Sequence, residues 1–301
     1  MIGAARLALS LGLLAILAAP ATAQPDMARP APENIADRGS ALYRFEEVRL
    51  DSADGARHYR LRVAIPRRAP PAQGYPVAWL LDGKAALPHI DETLLAELDA
   101  AGPPVIVAVG HDTPLRLDGP ERRYDYTPRI GSSDPRGRPG GGADAFLDLI
   151  EDRMMPKVAA AAHIDRRRQL IWGHSLGGLF VLHAFMTRPK LFSGYYAASP
   201  SLWWDEAAIV RRAAEPAAGR PCACGVVLAG GKIDDDRIRA RRGFAAAMPD
   251  GAAVAGFLAH LGQRTSVVPR QVELPGMGHG ETLGATVAPA LRMAAGIVDD
   301  A

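Results

Sequence analysis

The sequence predicts an α/β fold with a mostly parallel central sheet, antiparallel strands at its N-terminal end and helices on both faces. Short apolar segments alternate with helical ones along most of the chain, and the segment 105–109 is apolar throughout. Uniformly apolar strands are typical of parallel sheets that helices cover on both faces. We expect a single domain over residues 41–298, because α/β folds often fill such a length as one unit.

The first 23 residues have the pattern of a signal peptide. Arg6 is their only charge, the run 7–19 is apolar, and Ala-Thr-Ala precedes Gln24. The run is shorter than the roughly 20 residues that a membrane-spanning helix needs. We therefore predict a periplasmic or secreted protein with no membrane span after cleavage, and an uncleaved anchor is the alternative. Residues 24–40 contain three prolines and are predicted to form an extended leader.

The order of strands and helices follows from the pattern of apolar residues. Two alternating segments, 42–50 and 58–65, are joined by a turn-rich link and predict an antiparallel hairpin. The later strands are predicted over 76–81, 105–109, 169–172, 194–198, 225–229 and 267–274. Helices are predicted over 89–100, 143–161, 176–187, 236–248 and 281–297. The glycine-rich segment 137–142 follows no strand and lacks the P-loop ending, so we interpret it as a surface loop.

Charge and cysteine content argue against several classes of protein. The formal net charge is +2, and it falls to +1 without residues 1–23, which hold one arginine and no acid. A charge so near zero gives no basis for nucleic-acid binding. Cys222 and Cys224 lack the spaced pairs of a structural zinc site, so a disulfide and two buried thiols both stay open. We expect no metal and no cofactor.

A G-x-S-x-G motif is the strongest indication of chemistry. Gly173, Ser175 and Gly177 lie between an apolar strand and an apolar helix, as in the nucleophile elbow of the α/β-hydrolase fold. The sharp turn strains the serine backbone, and glycines beside it let neighbouring backbone approach closely. Ser175 is thereby predicted to be a nucleophile at the C-terminal edge of the sheet.

A serine nucleophile needs a base to accept its proton. His279 is predicted to be that base, because it lies in a glycine-rich loop after the last predicted strand. His260 lies on a helical stretch, and His174, inside the elbow, points the wrong way. In this fold the order along the chain is serine, acid, histidine.

The acid of the triad is predicted in the turn after strand 225–229. Asp234 is preferred because it comes first after the strand and its glycines, whereas Asp236 could cap the following helix. Asp235 also competes, and a dyad without an acid stays open. Backbone N–H groups of Leu176 and Lys84 are predicted to form the oxyanion hole, since the loops after the nucleophile and after the third strand supply these donors.

Several segments together resemble one esterase family of the α/β hydrolases. They are LDG at 81–83, RRYDYTP at 122–128, GHS at 173–175, ASPSLWW at 198–204 and GHG at 278–280. The resemblance covers roughly residues 40–295 and is greatest to the periplasmic siderophore esterases that open enterobactin-, salmochelin- or bacillibactin-type trilactones. The chain departs from that pattern at Lys84, where relatives tend to have Asn or Gln.

The resemblance implies substrate contacts for four side chains. Arg122 and Arg123 would pair with anionic catecholates, and Trp203 and Trp204 would stack on aromatic rings. The alternative is that the arginines brace Asp125 and the tryptophans pack a cap over the sheet.

The function implied is a serine ester hydrolase that opens catecholate siderophore trilactones through an acyl-enzyme. Its partner would be a small ester, such as a ferric siderophore. An esterase for polysaccharide-linked acyl or feruloyl groups, or for other small esters, is the alternative. A catalytically idle ligand-binding protein of the same fold is a third hypothesis.

Overall fold

The computed structural model describes residues 29–129, 139–217, 219–231 and 249–297. Within these ranges the chain forms an eight-stranded sheet in the order β1-β2-β4-β3-β5-β6-β7-β8. The strands are β1 Tyr43–Asp51, β2 His58–Pro66, β3 Tyr75–Leu80, β4 Val105–His111, β5 Ile164–His174, β6 Gly194–Ala198, β7 Gly225–Gly230 and β8 Arg270–Glu273.

The pairing of the strands confirms the predicted sheet. β1 pairs antiparallel with β2, and β2 pairs antiparallel with β4. Every later pair, from β4 with β3 to β7 with β8, is parallel. The carboxyl ends of strands β3 to β8 therefore meet at one edge, where ligand sites of open α/β sheets form.

The helices agree with most of the predicted segments. They are α1 Ile35–Arg38, α2 Gly83–Ala86, α3 Glu92–Ala101, α4 Gly119–Tyr126, α5 Ala143–Leu149, α6 Met155–Ala161, α7 Leu176–Thr187, α8 Trp204–Ala213, α9 Gly251–Gly262 and α10 His279–Ala295. A π-helical turn at Ile150–Met154 joins α5 to α6, so the predicted helix 143–161 is one continuous helical run. None of the helices in the described ranges is long and apolar enough to cross a bilayer.

Two predicted segments differ from the structure, and two others lie outside the described residues. The leader is not extended throughout, because Asn34 caps α1 in a reciprocal capping box with Asp37. The last strand begins only at Arg270, since Pro269 before it has no N–H to donate to a ladder. The predicted signal peptide and helix 236–248 lie outside the described residues.

Buried side chains on the two faces of the sheet explain why its strands are apolar throughout. In β3, Val77 and Trp79 belong to one core cluster, and Ala78 and Leu80 belong to the other. Helices α5 and α7 cover the first face, and α3 and α10 cover the second. Alternation along each strand thus contributes apolar side chains to both layers.

Cys222 and Cys224 form a disulfide with a Cα–Cα distance of 5.3 Å. Residue 223 lies in a bend, which brings the two closer than an extended strand would. Both cysteines are buried. The structure therefore contains the disulfide rather than two buried thiols.

Candidate active site

The elbow between β5 and α7 places Ser175 at the sheet edge in a strained conformation. Its φ is 60° and its ψ is −117°, and its N–H donates to the carbonyl of Ala198 at 3.0 Å. A Cβ on Gly173 would lie 2.4 Å from the carbonyl carbon of Gly177, and one on Gly178 would lie 2.9 Å from the Ala198 oxygen. Glycine is therefore required at 173 and 178 for the strand, turn and helix to pack this closely.

His279 is the first residue of α10, and its ring reaches the elbow serine. Its Nε2 atom lies 3.0 Å from Oγ of Ser175, a hydrogen-bond distance. Glu281 holds the start of this helix, since its carboxylate accepts the N–H of Gly278 at 2.7 Å. The structure thus brings together the two residues that the sequence predicts as nucleophile and base. His260 lies on α9, in agreement with its helical prediction.

A buried hydroxyl, Thr282, links the first turn of α10 to two other elements of the site. Its Oγ1 donates to the carbonyl of His279 at 2.9 Å and accepts from Ser199 Oγ at 2.9 Å. The Nε2 atom of His174 lies 3.1 Å from the same oxygen. Because Thr282 has only one proton, His174 must donate at Nε2. These contacts fix the helix turn that carries His279.

Burial keeps His174 uncharged. Desolvation lowers the pKa of His174 well below its ordinary value, and the nearby His279 and Arg122 act in the same direction. His174 is thus a neutral hydrogen-bond donor to Thr282.

The predicted oxyanion donors lie at the starts of two helices. Leu176 is the first residue of α7, and Lys84 is the second residue of α2. N–H groups in a first helical turn have no acceptor within their own helix. The α2 turn adjoins the elbow, because a Cβ on Gly177 would lie 3.7 Å from Oδ2 of Asp82. This placement is compatible with the prediction.

The side chain of Lys84 is directed away from water. Its Nζ atom is buried without a hydrogen-bond partner among the described residues. Burial lowers the pKa of this amine.

Arg122 is not available for the predicted catecholate contact. It is 6% exposed, and its guanidinium binds Asp82 through Nε–Oδ1 at 3.0 Å and Nη2–Oδ2 at 2.7 Å. Asp125, the alternative partner, instead accepts from Tyr59 at 2.9 Å and lies 2.7 Å from His111 Nε2. The prediction is corrected accordingly, since Arg122 braces the turn before α2.

The other predicted contacts differ in exposure. Trp204 is buried in the core, as expected for a tryptophan that packs a cap, and Trp203 is partly exposed with its ring centroid 5.8 Å from that of Trp204. Arg123 is also partly exposed. Ligand contact by Arg123 and Trp203 stays a prediction.

The acid of the triad stays a prediction as well, because Asp234, Asp235 and Asp236 lie outside the described residues. Among the residues that are described, no group of three His, Cys, Asp or Glu side chains is arranged to hold a metal ion.

Sequence reasoning did not identify Ser199, Ser201 or Thr282 as site residues. Ser199 and Ser201 belong to the ASPSLWW segment that carries the resemblance, which was the available signal for them. Thr282 lies three residues after His279, where helical spacing places its side chain over the same turn.

A serine on a nucleophile elbow, with a histidine in hydrogen-bond contact at the edge of this sheet, defines a serine hydrolase of the α/β-hydrolase fold. The family model described as "Putative esterase" matches residues 52–246. The chain belongs to this esterase family.

Two relatives of the chain are siderophore esterases. The apo-salmochelin esterase of Escherichia coli O6:H1 is 45% identical over 212 residues, which cover 68% of this chain and 66% of that protein. The ferri-bacillibactin esterase of Bacillus subtilis is 35% identical over 179 residues, which cover 55% of this chain and 62% of the relative. The chain thus spans just under two thirds of the length of these curated relatives.

A solved structure covers more of the chain. The enterobactin hydrolase IroE in complex with DFP matches with a TM-score of 0.72 and 36% identity. The match covers 87% of this chain and 99% of the IroE chain. A second structure, that of the enterobactin and salmochelin hydrolase IroE, has a TM-score of 0.72 and 35% identity. The predicted family and fold are confirmed.

Proposed function

We propose that this protein is a serine ester hydrolase that opens the trilactone esters of catecholate siderophores through an acyl-enzyme. The observation that carries the proposal is the 3.0 Å contact between Ser175 Oγ and His279 Nε2 on a strained elbow. The names of the relatives, which refer to salmochelin, bacillibactin and enterobactin, support the substrate class.

The proposed reaction begins when His279 Nε2 takes the proton of Ser175 as Oγ attacks the ester carbonyl. The carbonyl electrons move to oxygen and form a tetrahedral oxyanion, which the N–H groups of Leu176 and Lys84 are proposed to hold. The intermediate collapses, and the proton on His279 passes to the leaving alkoxide. Water then attacks the acyl-enzyme by the same sequence, with His279 again as base.

The environment of His279 suits this cycle. The base must become positively charged in each step, and the neutral His174 beside it adds no opposing charge. The hydrogen bonds that fix the first turn of α10 keep the ring near Ser175 without a large rearrangement.

We also propose that the protein works in the periplasm or outside the cell. The support is the pattern of residues 1–23, with one arginine, an apolar run and an Ala-Thr-Ala ending. A catecholate siderophore, ferric or iron-free, would meet the enzyme there.

A substrate panel tests the proposal. Purified wild type and Ser175→Ala are compared on ferric and iron-free tricatecholate trilactones, p-nitrophenyl acetate and a feruloyl ester. We expect serine-dependent hydrolysis with a clear preference for the trilactones. Preference for the feruloyl or acetyl ester would keep the mechanism and reject the siderophore substrate. Absence of hydrolysis with every ester would favour an idle ligand-binding protein.

A further inference from the structure

The nucleophile has a second polar neighbour besides the base. The Oγ atom of Ser201 lies 3.2 Å from Oγ of Ser175, and either hydroxyl is able to donate. Ser201 is 3% exposed, so its hydroxyl has little access to bulk water. This contact joins the elbow to the loop that follows β6.

The backbone holds Ser201 in place from both sides. Its N–H donates to the carbonyl of Ser175 at 3.0 Å, and its own carbonyl accepts the N–H of Trp204 at 3.1 Å. The loop approaches the elbow closely because residue 178 is glycine. A Cβ added at this position would lie 3.0 Å from Cα of Pro200. Fixed backbone of this kind places the Ser201 side chain with little loss of entropy during the reaction.

The direction of the hydrogen bond follows if the proposed function holds. When the proton of Ser175 points to His279, the remaining lone pairs of Oγ are available to accept. Ser201 must then be the donor. On that basis we propose that Ser201 is a further catalytic residue, whose hydroxyl donates to Ser175 Oγ and stabilises the charge that develops there.

The proton and electron movements assign this contact a role in both halves of the reaction. During acylation the Ser175 proton moves to His279 Nε2, and negative charge grows on Oγ until its electron pair forms the bond to the carbonyl carbon. During deacylation that bond breaks, and charge returns to Oγ until His279 supplies the proton. Ser201 keeps its own proton throughout. Its hydrogen bond is stronger whenever Oγ is charged than when Oγ is a neutral hydroxyl or an ester oxygen.

The inference predicts equal effects on the two steps. Ser201→Ala should slow both the burst and the steady-state hydrolysis of p-nitrophenyl acetate by about tenfold, the size expected for one lost hydrogen bond in each transition state. Ser201→Thr, which keeps a hydroxyl, should recover most of both rates. Ser201→Cys keeps the size but has a weak donor, so it should behave like alanine.

Ser193→Ala is the matched control. It also removes a partly buried hydroxyl at the loop before β6, where the Ser193 hydroxyl accepts from the backbone N–H of Gln169 and donates to its carbonyl, both at 3.0 Å. This variant should lose stability and keep its rates.

Three results would overturn the inference. They are unchanged rates in folded Ser201→Ala and Ser201→Cys, a faster reaction in either, or an equal loss in Ser193→Ala. A faster variant would mean that Ser201 accepts the Ser175 proton and holds it away from His279. If the wild-type protein shows no serine-dependent hydrolysis, the proposed function itself is wrong. If the wild-type protein is active and one of these three results is found, only the inference about Ser201 is wrong.

Discussion

The imidazole rings of His174 and His279 lie 4.6 Å apart between their centroids and are inclined by 46°. Two positive rings at this distance would repel each other, so the site favours one charge at most. Because burial lowers the pKa of His174, the proton in the proposed reaction belongs to His279. The structure therefore places a neutral histidine, His174, beside the proposed base.

This arrangement predicts that acid weakens the fold through His174. The pKa of His174 is lower in the folded protein than the ordinary value near 6.5, so between the two values the unfolded chain binds a proton that the folded protein does not. The contribution of neutral His174 to the free energy of unfolding is therefore fully present above the pKa that this histidine has in the unfolded chain. It falls, by up to roughly 1.4 kcal/mol per pH unit, as the pH drops below that value. His174→Gln keeps a donor toward Thr282 and should flatten this dependence.

The measurement is chemical denaturation of both proteins at about pH 7.5 and about pH 5.5, where the difference should be on the order of 1 kcal/mol. The lowered pKa values of His89 and His183 affect both proteins alike and cancel in the comparison. Identical pH dependence in the two proteins would contradict a neutral, buried His174.

Glycine-to-alanine changes in the elbow and in α9 are predicted to have opposite effects on stability. Gly173→Ala places a Cβ 2.4 Å from backbone and should lower the free energy of unfolding by more than about 2 kcal/mol, with loss of activity. Gly256 lies within α9 with open space around it, so Gly256→Ala should raise that free energy by about 0.5–1 kcal/mol. Thermal or denaturant unfolding checks both, and a tolerated Gly173→Ala would argue against the packing described.

The Arg122–Asp82 pair predicts a loss of stability when one partner is removed. Arg122→Gln leaves a buried carboxylate without its cation, which should cost about 3–5 kcal/mol. The control Arg67→Gln, at an exposed position, should change stability by less than about 0.5 kcal/mol. If Arg122→Gln instead kept full stability and lost only affinity for an anionic substrate, the result would support a direct contact between Arg122 and a catecholate.

Lys84 distinguishes a backbone role from a side-chain role. Lys84→Met removes a buried amine and keeps the N–H, so activity should persist and stability should stay level or rise. Lys84→Pro removes the N–H at a position in the first helical turn where proline is tolerated, and kcat should fall by about 10²–10³. Normal kcat in a folded Lys84→Pro would exclude this residue as an oxyanion donor.

Much of the fold could be predicted because the sheet depends on patterns that are local in sequence. Apolar runs marked the parallel strands, and alternation marked the hairpin of β1 and β2. Helix α4 was not predicted, since its sequence GPERRYDY is strongly polar, and its stability depends on the Asp118 cap and the distant Arg122–Asp82 pair. A helix whose support comes from tertiary contacts has no periodic signal of its own.

The same distinction applies to the site. The contact between Ser175 and His279 could be predicted because a strained elbow and a loop histidine have recognisable sequence contexts. The partner of Arg122 is 40 residues away, and Ser201 contacts a serine 26 residues before it. Such pairings depend on how loops meet at the sheet edge, which a single sequence does not specify.

The most direct test of the nucleophile and its base is mass spectrometry of protein treated with a fluorophosphonate. A single adduct is expected on the peptide that contains Ser175, with none on Ser175→Ala and much slower labelling of His279→Gln. Circular dichroism of the unlabelled variants shows whether each is folded. An adduct that persists in folded Ser175→Ala, or wild-type labelling rates in His279→Gln, would contradict the assignment of these two residues.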